Sequence, residues 1–189
     1  MDAVFSLTGR MNRKPFIIWY LVLAVVGTVA SVVYQLQIGS AVPPPKIPAG
    51  TDPLQAFVLG FTQGMKPTAF FTMILSIILI WPWTALTTKR FHDRNKSIWW
   101  PLILVTLPML ATIVYAAGFA GLLPFLDEAT VTAIAMGTII FQMFAGIWVL
   151  IECVFLRGTR GPNAYGPDPI ANDEAVEAAK AQQAGDWAG

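Results

Sequence analysis

Four long apolar stretches, separated by polar or proline-rich segments, dominate the chain. They cover about residues 16–36, 67–86, 98–118 and 130–156. At about 1.5 Å of helical rise per residue, each is long enough to cross a hydrocarbon core of roughly 30 Å. The pattern predicts an all-α integral membrane protein with a four-transmembrane-helix bundle. It divides into an N-terminal segment at 1–15, a membrane domain at 16–156 and a C-terminal tail at 157–189.

Single residues predict where these helices begin and bend. Asn12 is a suitable N-cap for the first span, and Ser97 is one for the third. Pro82 and Pro108 each lack a backbone donor inside a span, so both predict a kink.

Two shorter helices are predicted outside the four spans. Thr51-Asp52-Pro53 is typical of a helix start, and apolar residues recur at helical spacing after it. We interpret residues 53–63 as a short interfacial helix lying on the membrane, although the same residues could lengthen the second span. In the tail, Asn172 or Asp173 is expected to cap a short Ala-rich helix that ends near residue 184.

Composition and charge strengthen this interpretation. The chain is 56% hydrophobic and only 12% charged, whereas a soluble domain has about 25% charged residues. Four of the 12 basic residues lie in the predicted loop 87–101, and others flank the first and fourth spans. The positive-inside rule therefore places both termini and the central loop in the cytoplasm, and residues 53–63 on the opposite side.

Tryptophan positions favour the same orientation, because indole rings prefer the headgroup level. Six tryptophans fall in the half of their span nearest the basic residues and form the predicted aromatic belt: Trp19, Trp81, Trp83, Trp99, Trp100 and Trp148.

Three motifs in order resemble a known family. They are 5–16 (FSLTGRMNRKPF), 90–100 (RFHDRNKSIWW) and 158–169 (GTRGPNAYGPDP), and they resemble domain of unknown function 805, the YhaH-like bacterial inner-membrane proteins. The sequence departs from the family pattern at Lys89, where an arginine is usual, and at Ile98, where a glycine is usual. The resemblance implies a small helical protein of the bacterial inner (cytoplasmic) membrane, without an established activity.

All three motifs are expected on the cytoplasmic side, where two interpretations remain open. In the first, a structural polar network satisfies the helix ends. Its members are His92, Asp93, Glu152, Asn163, Tyr165 and Asp168. In the second, basic side chains bind an anionic ligand or lipid headgroup. These candidates are Arg10, Arg13, Lys14, Arg90, Arg94 and Lys96.

Other kinds of site are disfavoured. A single histidine is too little for a zinc site, and no cofactor is expected. Glu152 is the acidic residue inside a span, and we expect it to pair with an arginine of the central loop or with Arg157. No serine, cysteine or acidic dyad forms a credible catalytic set, and nothing indicates nucleic-acid binding.

The sequence favours a non-enzymatic accessory or scaffolding subunit that packs against partner membrane proteins, or copies of itself, and anionic lipids. A small oligomeric transporter or channel is the first alternative. An enzyme that acts on lipid headgroups, with His92 and Asp93 as acid and base, is the second.

Overall fold

The computed structural model describes residues 5–38 and 44–171. The Ala-rich helix predicted from Asn172 or Asp173 lies outside these residues. The described part is helical, and its tail contains one isolated antiparallel bridge, between Asn163 and Gly166. Four helices are long and apolar enough to cross a membrane, as the hydrophobic pattern predicted.

The first span, α1, is Arg13–Ile38 and follows directly after Asn12. The Asn12 carbonyl accepts from the Phe16 N–H at 3.2 Å, and its side-chain oxygen accepts from the Arg13 N–H at 2.6 Å. Phe16 is the buried residue of this helix. The largely exposed valine-rich remainder of α1 fits a lipid environment, where apolar surface needs no protein cover.

The second span belongs to a helical run of 41 residues, Pro53–Asp93. It consists of α2, Pro53–Met65, a 3₁₀ turn at Lys66–Thr68, and α3, Ala69–Asp93. Asp52 caps α2 as expected, because its carboxylate accepts from the N–H groups of Leu54 and Gln55. The interfacial position of α2 remains a prediction.

The basic segment after the second span is mostly helix, so the prediction of a loop at 87–101 is wrong. Helix α3 continues to Asp93, and only residues 94–98 connect it to the next helix. Asn95, with φ of 57°, ends α3 in a Schellman motif. In that motif the Lys96 N–H bonds to the Phe91 carbonyl and the Asn95 N–H to the His92 carbonyl. Lys89 and Arg90 are buried within this part of the helix, and Arg90 is paired with Asp93.

The third and fourth spans each contain one π-helical turn. Helix α4, Trp99–Phe119, has it at Leu102–Thr106, immediately before Leu107 and Pro108. The helix cap is Ile98 without a side-chain bond, so the predicted N-cap at Ser97 is wrong. Helix α5, Glu128–Phe155, is capped by Asp127 and has its π turn at Ile151–Phe155.

Helix α3 is central, since it packs against both α1 and α4, and α4 packs against α5. The core has two parts. One part lies at the end of the bundle that carries Arg10, Asp93 and Glu152, which we call the basic end. Its buried members are Met11, Phe16, Leu86, Phe91, Val149 and Cys153. The other part lies between α3, α4 and α5, and it includes Met73, Tyr115, Ala116, Ala117, Val131 and Ala135.

Candidate functional site

The site at the basic end is organised around the carboxylate of Asp93, the last residue of α3. Arg10 reaches Oδ1 through Nη2 at 3.0 Å and through Nε at 3.2 Å. Arg90, one turn earlier on α3, donates from Nη1 to Oδ2. The Asp93 side chain is 6% exposed, and those of Arg10 and Arg90 are 2% and 0% exposed. A buried carboxylate between two buried guanidinium groups balances charge that would be costly alone.

Arg90 also closes the end of α5. Its Nε donates to the Cys153 carbonyl at 2.7 Å, and its Nη2 donates to the Leu156 carbonyl at 2.5 Å. The last carbonyls of a helix have no intrahelical partner, and the π turn changes which of them remain free. Arg90, a residue of α3, therefore satisfies carbonyl groups at the end of α5.

Arg10 holds the tail against the helix ends. Its Nη1 donates to the Gly161 carbonyl at 2.7 Å and to that of Gly166 at 3.2 Å, and Nη2 donates to the Thr159 carbonyl at 2.7 Å. Thr159 in turn donates from its N–H and its hydroxyl to the Asp93 carbonyl, at 2.9 and 3.0 Å. The three motifs of the sequence thus meet at a single place.

A second ion-pair cluster surrounds Glu152 on the π turn of α5. Arg94 donates from Nε to Oε1 at 2.8 Å, and Lys96 Nζ lies 2.5 Å from the same oxygen. Arg94 also donates to the Arg157 carbonyl at 3.1 Å. Glu152 is only 4% exposed, so both cations offset the cost of burying its charge.

His92 takes part through its ring face and its backbone. Its ring stacks on that of Tyr165 with centroids 3.8 Å apart, and Nδ1 lies 3.3 Å from the Gly9 carbonyl. Asn163 donates to the His92 carbonyl at 2.9 Å. The Asp93 carboxylate binds the two arginines and not the His92 ring. In the part of the chain that the structure describes, His92 and Asp93 therefore do not form an acid–base pair.

Asp168 shapes the tail loop rather than the ion-pair clusters. Its carboxylate accepts from the N–H groups of Gly161 at 2.8 Å and Ile170 at 3.0 Å. These hydrogen bonds, first the one from Ile170 and then the one from Gly161, lower the pKa of Asp168 below its ordinary value of 3.8.

The remaining basic candidates lie outside these clusters. Lys14 is exposed, and Arg13 is half-buried with its Nη1 at 3.5 Å from the Phe155 carbonyl. Arg10 and Arg90, by contrast, have internal acceptors for their donors, which makes them poorer candidates for an external anion. Two exposed arginines that the motif reasoning left out, Arg157 and Arg160, lie at the same end.

Most of the aromatic belt is exposed. Trp19, Trp81, Trp99, Trp100 and Trp148 all present a large part of their surface. Trp100 stacks on Trp148 with centroids 6.2 Å apart, and Lys96 Nζ lies 5.2 Å from the Trp100 ring centroid. Trp83 differs, because it faces the interior of the bundle against Tyr20, with centroids 4.9 Å apart.

Sequence reasoning missed Gly158. A Cβ on this residue would overlap the carboxylate of Asp93, so only glycine allows the tail to pass this close. The glycine-rich start of the tail was a signal for such a close approach. The partner of Gly158, Asp93, is distant in sequence and could not be identified from it. Among the residues that the structure describes, no three His, Cys, Asp or Glu side chains gather as metal ligands would.

Comparison with known proteins agrees with this architecture. The family described as "Protein of unknown function (DUF805)" matches residues 4–167. The chain is 29% identical over 165 residues to "Uncharacterized protein YiiR" of Escherichia coli K12. The aligned residues cover 87% of this chain and 86% of that protein. The chain is also 26% identical over 119 residues to "Inner membrane protein YhaH" of the same strain, covering 60% and 69%.

No solved structure matches the chain. The family match, the similarity to a protein named for the inner membrane and the four apolar helices all agree with the resemblance of the three motifs. The chain belongs to the DUF805 family of membrane proteins of unknown function.

Proposed function

We propose that this protein is a non-catalytic inner-membrane subunit whose basic, tryptophan-rich end binds anionic lipid headgroups and packs against partner membrane proteins. One observation carries the proposal. The buried arginines are satisfied internally, while further cations and five belt tryptophans at the same end remain exposed. Exposed cations beside indole rings are suited to an anionic headgroup layer.

The proposed orientation places both termini and the basic end in the cytoplasm. Fusions of a fluorescent protein and of alkaline phosphatase to the C-terminus test it. Fluorescence without phosphatase activity is expected, because the phosphatase is active only in the periplasm. The opposite pattern would overturn the orientation.

The interfacial position of α2 belongs to the same proposal. A helical run of 41 residues would be about 60 Å long, which is roughly twice the thickness of the hydrocarbon core. The run therefore extends beyond the core, and the 3₁₀ turn with Pro67 is where its course can change. The exposed Leu54 and Phe57 would lie against the periplasmic surface.

Two alternatives receive less support. A transporter or channel needs polar groups along a path, and Glu152 and Gln142 both have local partners. A headgroup enzyme would use His92 and Asp93 together, and their side chains have different partners. Direct assays of solute flux and of lipid turnover would detect either activity.

Lipid retention tests the proposed function. The triple variant Lys14→Gln, Arg157→Gln, Arg160→Gln removes exposed charge at the basic end. Lys46→Gln with Lys66→Gln is the control at the other end. After mild solubilisation from native membranes, we expect the triple variant to retain less phosphatidylglycerol and less co-purifying protein than the control. Equal retention of both would contradict the proposal.

A further inference from the structure

A groove of about 330 Å³ lies within the bundle, on the basic-end side of its middle. All four spans contribute to it, and its walls include Tyr20, Trp83, Pro108, Met109, Gln142 and Gly146. Its volume is at the lower end of the range of about 300–1,000 Å³ typical of small-molecule sites.

Two features of the backbone lie in the wall of the groove. In α4, the π turn Leu102–Thr106 is followed at once by Leu107 and Pro108, which changes the packing of that helix. In α5, Gly146 has no side chain, and a Cβ there would have no atom within 4 Å. Protein interiors are otherwise close-packed, so a space of this size needs a local cause, and both features lie in its wall.

The groove is open on the side between α1 and α5. Helix α1 packs along α3 and meets the fourth span chiefly at the π turn Ile151–Phe155. No long contact between α1 and α5 covers the groove, and Gly146 is exposed at this side. In a membrane, this side faces the hydrocarbon chains of lipids.

Two polar side chains in the wall, Thr87 and Gln142, have partners in the protein. The Thr87 hydroxyl donates within its own helix, to the Trp83 carbonyl at 2.7 Å. Gln142 Nε2 donates to the Thr112 hydroxyl at 2.9 Å and to the Pro108 carbonyl at 3.3 Å. These two side chains are therefore engaged within the protein, and most of the remaining wall is apolar, which suits an apolar chain.

Arg13 provides a cation on the side of the groove that is nearer the basic end. Arg13 precedes Tyr20 by seven residues on α1, which places the two on the same helix face about 10 Å apart. Arg13 Nη1 is 3.5 Å from the Phe155 carbonyl, and therefore lies where α1 meets the end of α5. Guanidinium groups bind phosphate oxygens well, and this one has a single long contact among the described residues.

We propose that the groove binds one acyl chain of an anionic phospholipid, whose phosphate lies at Arg13. The inference rests on the proposed function for its choice of an anionic lipid, and it adds a specific site to a general surface. The occupant is one bound lipid at a fixed place, in contrast to the exchanging lipids around the bundle.

Photolabelling tests the site. Phosphatidylglycerol with a diazirine near the middle of one acyl chain is added at a one-to-one ratio to the purified full-length protein. In the unmodified protein we expect crosslinks concentrated in residues 104–109 and 142–149. Crosslinks spread over the exposed faces of all four spans would overturn the proposal.

Variants give an independent check. Gly146→Leu fills the groove and should reduce labelling of these segments at least tenfold. Gly137→Leu is the matched control on the same helix, because a Cβ there also meets no atom within 4 Å. It should label like the unmodified protein. Equal labelling of the two variants would exclude the groove.

Arg13→Gln tests the phosphate contact. One charge-assisted contact corresponds to about a tenfold change in affinity, so this variant should need about ten times more phosphatidylglycerol for the same labelling of the groove. An unchanged concentration dependence would overturn the placement of the phosphate.

The groove and the proposed function can fail separately. If the triple variant at Lys14, Arg157 and Arg160 retains normal lipid while Gly146→Leu abolishes the groove label, the surface proposal fails and the groove stands. If the triple variant loses lipid while labelling never concentrates at the groove, the groove proposal fails alone.

Discussion

Asp93 is the residue on which most of the polar contacts at the basic end depend. It balances the charges of Arg10 and Arg90, and its own carbonyl accepts from the tail. Removing one member of a buried ion pair leaves an uncompensated charge, which costs far more than the pair itself contributes.

We therefore expect Asp93→Asn to lower the free energy of unfolding by about 3–5 kcal/mol. Glu128→Gln is the matched control, because its ion pair with Lys66 is exposed, with side chains 57% and 43% accessible. The control should lose less than about 1 kcal/mol. Reversible unfolding by SDS in mixed micelles measures both. Similar losses for the two variants would contradict the central role of Asp93.

Gly158 makes a separate prediction at the residue scale. In Gly158→Ala the new methyl group would overlap the Asp93 carboxylate, and either the tail or the ion pair must move. Overpacking of this kind costs about 1–3 kcal/mol. Gly64→Ala, where a Cβ meets no atom within 4 Å, should be neutral or stabilising. Thermal unfolding in detergent compares them, and a neutral Gly158→Ala would show that the tail can sit elsewhere.

At the scale of elements, the close approach of α4 and α5 depends on one glycine. A Cβ at Gly118 would lie 2.6 Å from Cγ2 of Val131, which is only 2% exposed. Small residues allow membrane helices to pack closely, and a β-branched valine has little freedom to move aside. At Gly137 of α5, by contrast, a Cβ would have no neighbour within 4 Å.

Gly118→Ala should therefore cost about 1–3 kcal/mol of unfolding free energy. Adding Val131→Ala should remove most of this cost, so that the double variant is about as stable as Val131→Ala alone. Gly137→Ala should not be destabilising. A double-mutant cycle from SDS unfolding gives the coupling. Strict additivity would show that the two residues do not interact.

At the scale of the whole molecule, the folded tail covers the end of α3 and contacts Arg10 in the segment before α1. Asp168 fixes the tail loop by accepting two backbone N–H groups, which lower its pKa. A group with a lowered folded-state pKa stabilises above its ordinary pKa and loses that effect as the pH falls through the folded-state value. The contribution of Asp168 is thus complete above about pH 5 and is lost below 3.8.

The amide resonance of Gly161 reports this titration directly, because its N–H donates to Asp168. We expect its chemical shift to change with a midpoint below 3.8 in micelles. Asp168→Asn should abolish the change. A midpoint at or above 3.8 would mean that the loop does not hold the carboxylate in solution.

The sequence by itself determined the membrane class, the four spans and the family. The reason is that a bilayer requires about 20 apolar residues per crossing, a signal that is local and needs no knowledge of packing. Local chemistry likewise identified Asn12 and Asp52 as helix starts. The end of α3 escaped this reasoning, because four basic residues resemble a solvated loop until their partners are known.

Only the tertiary structure decided those partners. Arg10 and Asp93 are 83 residues apart in sequence, and Arg94 and Glu152 are 58 apart. Any of several carboxylates could have paired with any of several cations, and helix packing selects the pairs that can be buried together. The groove beside Gly146 has the same origin. A missing side chain in one helix and a π turn in another form a groove only where the fold brings them face to face.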